Sequence, residues 1–284
     1  MPNLELQKKK NPSAFRRIAL GTWRTTYDPS VYGSMTLNIG AALQYIEDFR
    51  AATGERLTIS HLIAKAVAAT LVKIPDANAI VRFNRIYLRK RISVFFQVAM
   101  KDTQTGEIDL TGATIEDADK KSLQIICDEF NARVATVRAG KDKDIEGTRS
   151  MFKRIPYYLL FPALQLIGFL TYTLNLNLSR FGIPKDAFGS VMVTNVGSLG
   201  LESAFVPLVP YSRVALLIAV GAVKKQPIVI DEEIVVGDTL SLFVTFDHRI
   251  LDGSHAAVMA STMREWLENP FDHFDPIPTS SPTI

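Results

Sequence analysis

A two-layer α/β fold, a mixed β-sheet covered by helices, is predicted by three features of this 284-residue sequence. Short runs rich in β-branched and aromatic residues recur along the chain, and only a few long amphipathic helical patterns lie between them. Several of the runs also sit too close together for parallel crossovers, which need a dozen or more residues. A hydrophobic content of 47% is ample for a sizeable core, and no repeat or low-complexity linker divides the interior, so one large domain is expected.

The elements follow in order. Residues 1–14, with Lys8-Lys9-Lys10, read as a solvated basic arm, and Met1 to Lys10 lacks the apolar stretch of a signal peptide. Ser34 to Ile39 alternates as a strand, and Ala41 to Ala52 turns helical and closes at Gly54. A longer helix starts at Thr58 or Ser60 and runs to Lys73, stopped by Pro75. Ala79 to Phe83, Arg85 to Leu88 and Ile92 to Met100 read as strands joined by hairpins, with a shorter strand near Glu107 to Leu110 and a helix from Ala118 to Arg138. Strands recur at Ser190 to Thr194, Val214 to Val220, Ile228 to Ile230 and Ser241 to Phe246. A last helix, Ser254 to Leu267, precedes a tail over residues 272–284.

Composition excludes several classes. The net charge of +3 is small for a nucleic-acid-binding domain, and no nucleic-acid partner is expected. The single cysteine, Cys127, allows no intrachain disulfide and lies inside a helical pattern, so a reducing, cytoplasmic setting and a buried structural thiol are expected. No G-x-G-x-x-G opens a helix after a first strand, which disfavours a doubly wound nucleotide fold, and no G-x-S-x-G elbow supports a serine hydrolase. His61, His255 and His273 show no recognisable ligand spacing, so no metal is expected; His255 is close enough in sequence to His248 to line a site there.

The chemistry concentrates at Leu240 to Gly253. A strand-like apolar run delivers His248 into a turn, and Asp252-Gly253 follows. A histidine held by a rigid element can have one ring nitrogen fixed while the other accepts a proton near neutral pH. Asp252-Gly253 also suits a turn and helix start, where Asp caps and Gly relieves φ.

The pattern H-x-x-x-D-G from His248 to Gly253 resembles the signature of the chloramphenicol acetyltransferase and dihydrolipoyl acyltransferase superfamily. Phe246-Asp247-His248-Arg249 and Leu267-Glu268-Asn269-Pro270 look like the acyltransferase subunit of 2-oxoacid dehydrogenase complexes, whereas peptide synthetase condensation domains usually double the histidine. Upstream, Val191 to Gly197 is similar to the family's T-[IV]-[ST]-N-[LIV]-G strand and turn. Weaker matches fall at Leu57 to Asn78 and Arg213 to Gly221, and the likeness covers Phe15 to Phe271.

The resemblance implies a chloramphenicol acetyltransferase-like fold over residues 15–271 and an acyl transfer involving coenzyme A and a dihydrolipoyl thiol or other acceptor. His248 would be the general base and Thr194 the hydroxyl that holds the oxyanion. Asp252 would organise the turn by pairing with Arg16 or Arg17, between which the sequence does not choose; Asn195 and Gly253 would support the site. A homotrimer is implied, with His248 of one subunit meeting Thr194 of its neighbour, and larger cages are built from such trimers. The competing readings are a catalytically silent trimeric scaffold and a membrane-associated assembly protein.

Two departures stand out. The likeness begins too early to leave room for lipoyl or subunit-binding domains, and Asp119-Lys120 opens a helix where a lipoyl-lysine would sit at a hairpin tip. No lipoyl-lysine is therefore expected in this chain, and a lipoyl domain or other acyl carrier would come in trans. Secondly, Ile155 to Ser179, within an insertion at residues 150–182, carries no charge. Pro156, Pro162, Gln165, Asn175 and Asn177 interrupt it too often for a membrane span of about 20 apolar residues. A helix buried against the core or another subunit is the first reading, and an interfacial or acyl-chain-binding helix that brings the protein to membranes is the second.

Overall fold

The computed structural model describes residues 2–10, 28–101, 108–138 and 156–278. Its elements in chain order are β1 (Leu6–Lys8), β2 (Ser30–Asn38), α1 (Gly40–Thr53), α2 (Ile59–Lys73), β3 (Ala79–Arg82), β4 (Arg85–Arg89), β5 (Val94–Lys101), β6 (Ile108–Ile115), α3 (Leu123–Arg138), α4 (Tyr157–Gly168), β7 (Val191–Asn195), β8 (Leu216–Val220), β9 (Lys224–Ile230), β10 (Glu233–Asp247), α5 (Gly253–Glu268) and a one-turn α6 (Pro270–His273).

The main sheet runs β2-β10-β8-β7-β5-β6, with β9 paired to the first half of β10. The β5–β7 and β7–β8 pairs are parallel and the others antiparallel, giving the mixed sheet expected from the sequence. Alternation along β10 sends Leu240, Leu242 and Phe246 to the face covered by helices, where Tyr45 and Phe49 of α1, Leu62 and Val67 of α2 and Met263 of α5 complete the main core. Phe243 points the other way and joins Met192, Leu217 and Ala219 in a smaller cluster. At roughly 1.5–3 kcal/mol per fully buried large aliphatic side chain, the helix-covered face dominates the stability.

The helix ends follow their local chemistry. Gly54, at φ 74°, terminates α1 with its N–H donating to the Arg50 carbonyl. Thr58 begins α2 in a reciprocal capping box with His61. His61 is buried, and burial together with the Arg50 cation lowers it to about 4. It is therefore a neutral core residue whose Nδ1 lies 3.4 Å from the Cys127 sulfur. Both hairpins that close on two residues, at Phe83-Asn84 and Asp231-Glu232, place both residues at positive φ, as a type I′ turn requires.

Several elements differ from expectation. β10 begins at Glu233 rather than Ser241, because its first half pairs with β9 in a ribbon whose Val229, Ile234 and Val236 remain exposed and so carry no inside-outside pattern. β6 continues to Ile115 through Gly112, a residue that argues against a strand. A Cβ there would come within 1.9 Å of the Phe95 ring lying over it. α3 starts at Leu123 rather than Ala118, since the preceding residues form a turn whose Ala118, Asp119 and Lys121 carbonyls accept hydrogen bonds from Lys65 Nζ.

The solvated arm is corrected as well. Leu6–Lys8 pairs with β4, forming with β3 a second sheet in the order β1-β4-β3. Asn3 and Leu4 are buried beside it, and Lys9 pairs with Asp76. Leu4 packs there with Ile80 and with Tyr172, a residue of the uncharged insertion. The insertion folds as α4, bearing Pro162 internally, and runs on as a π-turn over Phe169–Thr173. Its far end is anchored by Thr171 and Tyr172, whereas Leu159, Phe161, Leu166 and Phe169 are exposed. No helix among the described residues is long and apolar enough to cross a membrane.

Candidate active site

β10 ends at Asp247, and the six residues from there to Asp252 are held from several directions. Asp247 is buried and receives Arg249 as a fork, with Nε 3.0 Å from Oδ1 and NH2 2.6 Å from Oδ2, while the Arg249 backbone N–H donates to Oδ1. Its carbonyl accepts from the N–H groups of Ile250 and Leu251. The His248 N–H donates to the Pro29 carbonyl at 2.9 Å, tying the turn to the start of β2.

The His248 ring is fixed by a contact the sequence did not reveal. Nδ1 lies 2.8 Å from the Leu251 carbonyl oxygen. A carbonyl can only accept, so Nδ1 carries the ring proton and Nε2 the basic lone pair. The turn residue three positions on thus selects the tautomer suited to a general base.

Asp252 is the N-cap of α5. Its Oδ1 accepts from the Ser254 N–H at 3.1 Å, the Ser254 hydroxyl at 2.6 Å, the His255 N–H at 3.3 Å and His255 Nδ1 at 2.6 Å. Burial raises its carboxyl, but these hydrogen bonds outweigh that and hold it well below the usual carboxylate range. His255 is thereby committed to the cap, with Nε2 3.7 Å from Asp76. Arg16 and Arg17, the expected partners of Asp252, lie outside the described residues. Gly253 needs no left-handed backbone, and a Cβ there would meet nothing within 4 Å among the described residues, so the expected relief of φ is not its role.

The cap predicts a pH-dependent loss. Asp252→Ala is expected to cost about 1 kcal/mol at neutral pH, the ordinary worth of an N-cap. Because the folded carboxyl titrates below its unfolded value near 3.9, that stability is present above this value and is lost as pH falls through the folded one. Urea unfolding at a series of pH values should show the gap between wild type and variant closing on acidification; a gap unchanged in acid would rule out a charged cap.

Thr194 sits on β7, buried, between β5 and β8. It alternates with Val193, which enters the main core, and so shares the face of Met192 away from the helices. Asn195 ties the strand end to the start of α2 through Ser60, at 3.1 Å, and accepts from the Ser198 N–H in the following turn. The structure does not bring Thr194 and His248 together within one chain. Thr194 is level with Ala219, and Ala219 with Phe243, two strands across and four residues short of Asp247. At about 3.3 Å per residue and about 4.8 Å per strand, the two positions are more than roughly 15 Å apart.

A cleft of about 340 Å³ opens beside the turn, lined by Ser30, Val81, Gln165, Pro207 to Pro210, Arg213, Asp247 and Arg249. Arg213 was not singled out from the sequence as a site residue. Its signal is a lone charge heading the apolar run Val214 to Val220.

Comparison with known proteins agrees with this architecture. The family model for the 2-oxoacid dehydrogenases acyltransferase (catalytic domain) matches residues 22–153 and 185–274, leaving out most of the uncharged insertion. A dihydrolipoyllysine-residue acetyltransferase component of a pyruvate dehydrogenase complex, from Bacillus subtilis, is 26% identical over 234 residues, which is 82% of this chain and 42% of that protein. The chain thus spans less than half the length of that relative. Among solved structures, a probable dihydrolipoamide acetyltransferase from Listeria monocytogenes superimposes with a TM-score of 0.65 at 19% identity, covering 96% of this chain and 99% of that one. The cubic core of a pyruvate dehydrogenase multienzyme complex gives 0.63 at 20% identity, over 93% of each chain.

Proposed function

The chain belongs to the 2-oxoacid dehydrogenases acyltransferase (catalytic domain) family, and from that premise we propose that it transfers an acyl group between coenzyme A and a thiol, with a dihydrolipoyl arm carried by another protein or domain as the partner thiol. His248 Nε2 takes the proton of the attacking thiol, and the thiolate adds to the thioester carbonyl. The hydroxyl of Thr194 donates to the resulting oxyanion. As the carbonyl re-forms, the other sulfur leaves and recovers the proton from His248. Asp252 positions the base by capping α5.

The observation that carries this reading is the Nδ1 contact to the Leu251 carbonyl, which leaves the basic lone pair on Nε2 at a strand end locked by Asp247 and Arg249. The separation of His248 from Thr194 supports a homotrimer in which each site takes the histidine from one subunit and the threonine from the next. Incubating the full chain with a panel of acyl-coenzyme A thioesters and free dihydrolipoamide, followed by mass spectrometry, should yield acylated dihydrolipoamide and free coenzyme A. Acyl exchange no faster than in the absence of protein would sink the proposal.

A further inference from the structure

The cleft beside the catalytic turn has an electrostatic imbalance. Two guanidinium groups, Arg213 and Arg249, line it with Asp247, and Asp247 is already engaged by Arg249 through both carboxylate oxygens. Asp28, at the rim, is turned onto Ser30 and Tyr32. The Arg213 Nε is out of solvent with no hydrogen-bond partner, and no ion pair among the described residues involves this side chain. A half-buried cation whose nearest carboxylate, Asp247, is already taken up by another arginine is costly, since desolvation is repaid only by a well-placed anion. Burial, and then the Arg249 cation, accordingly pull the Arg213 guanidinium below its ordinary value, and Asp247 offsets them only in part.

The walls supply the rest of a binding site. Pro207 and Pro210 stiffen one side, Val81 of the small sheet forms another, and Gln165 of α4 adds an amide at the rim. Residue 165 falls in the segment that the family model does not match, so the cleft is partly this chain's own construction. A volume of about 340 Å³ is at the lower end of the range for small-molecule sites.

We propose that this cleft binds a small oxyanion-bearing group, a carboxylate or a phosphate, with the Arg213 guanidinium as its principal donor and Gln165 at its rim. The planar fork of arginine suits both groups, each of which would supply the missing negative charge. Through Asp247 and Arg249 the occupant would lie against the turn that carries His248.

The site does not depend on acyl transfer, and its test requires no turnover. The full chain is titrated calorimetrically with succinate, with inorganic phosphate and with chloride at matched ionic strength. Saturable binding of succinate or phosphate, absent with chloride and weakened roughly tenfold or more in Arg213→Gln, supports the proposal; which oxyanion binds identifies its source. Gln165→Phe, which fills the rim from an exposed position, should weaken the same binding and serves if Arg213→Gln does not fold. No saturable binding by either oxyanion, or binding unaffected by the substitutions, overturns it.

Discussion

Replacing His248 with alanine is expected to lower acyl transfer by roughly 100- to 10,000-fold, the usual worth of a positioned general base, while leaving the oligomer intact. The two readouts separate because the rest of the turn is held by other groups. Asp247 holds Arg249 and the backbone N–H groups of Ile250 and Leu251 without it, and Asp252 caps α5 without it. The Leu251 carbonyl loses its ring partner, a modest loss in a site that is half-buried. Sedimentation velocity should therefore be indistinguishable from that of wild type, and kcat should carry the loss. Unchanged transfer would remove His248 from the mechanism. Loss of assembly together with activity would instead make the residue structural, which a silent scaffold of the same fold also accommodates.

Much of this was legible in the sequence wherever one face of an element is buried. The apolar run up to Phe246 located the second half of β10, and Leu242, Val244 and Phe246 of that run pack into the main core. Thr58, Gly54 and Pro75 marked helix ends through capping chemistry that is local to the chain. The misses share a physical cause, dependence on a partner distant in sequence. Leu6 to Lys8 is too short and basic to read as a strand and becomes one only against β4. Gly112 breaks the pattern of β6 because its missing side chain makes room for Phe95 on the neighbouring strand. At the site, the motif marked His248 and Asp252, but its third contact is a backbone carbonyl, which every residue possesses and no motif records. Arg213 escaped because a single arginine in a loop is ordinarily solvated. Only the cleft built by α4 and the small sheet gives it meaning.

Thr194→Val keeps the shape of the side chain and removes its hydroxyl, and it is expected to cost roughly 3 to 4 kcal/mol of transition-state stabilisation, comparable to the loss of one oxyanion donor elsewhere. Valine also suits the strand, so β7 should be undisturbed and the loss should fall on kcat rather than KM. The position of Thr194 makes a stronger test available. Within one chain it lies two strands across from β10 and several residues short of the catalytic turn, on the face away from the helices. No small side-chain rearrangement closes a gap of that size, so a site built from this pair would need the threonine of another subunit. Co-refolding His248→Ala with Thr194→Val in equal amounts should then recover activity that neither variant has alone. In a cyclic trimer with random mixing, three quarters of the assemblies are hybrids, and each holds one intact pairing of three, so about a quarter of wild-type activity should return. Recovery near that level would establish that the pair acts between subunits. A mixture no more active than its two components, with hybrids verified by mass spectrometry, would remove Thr194 as the donor across the interface.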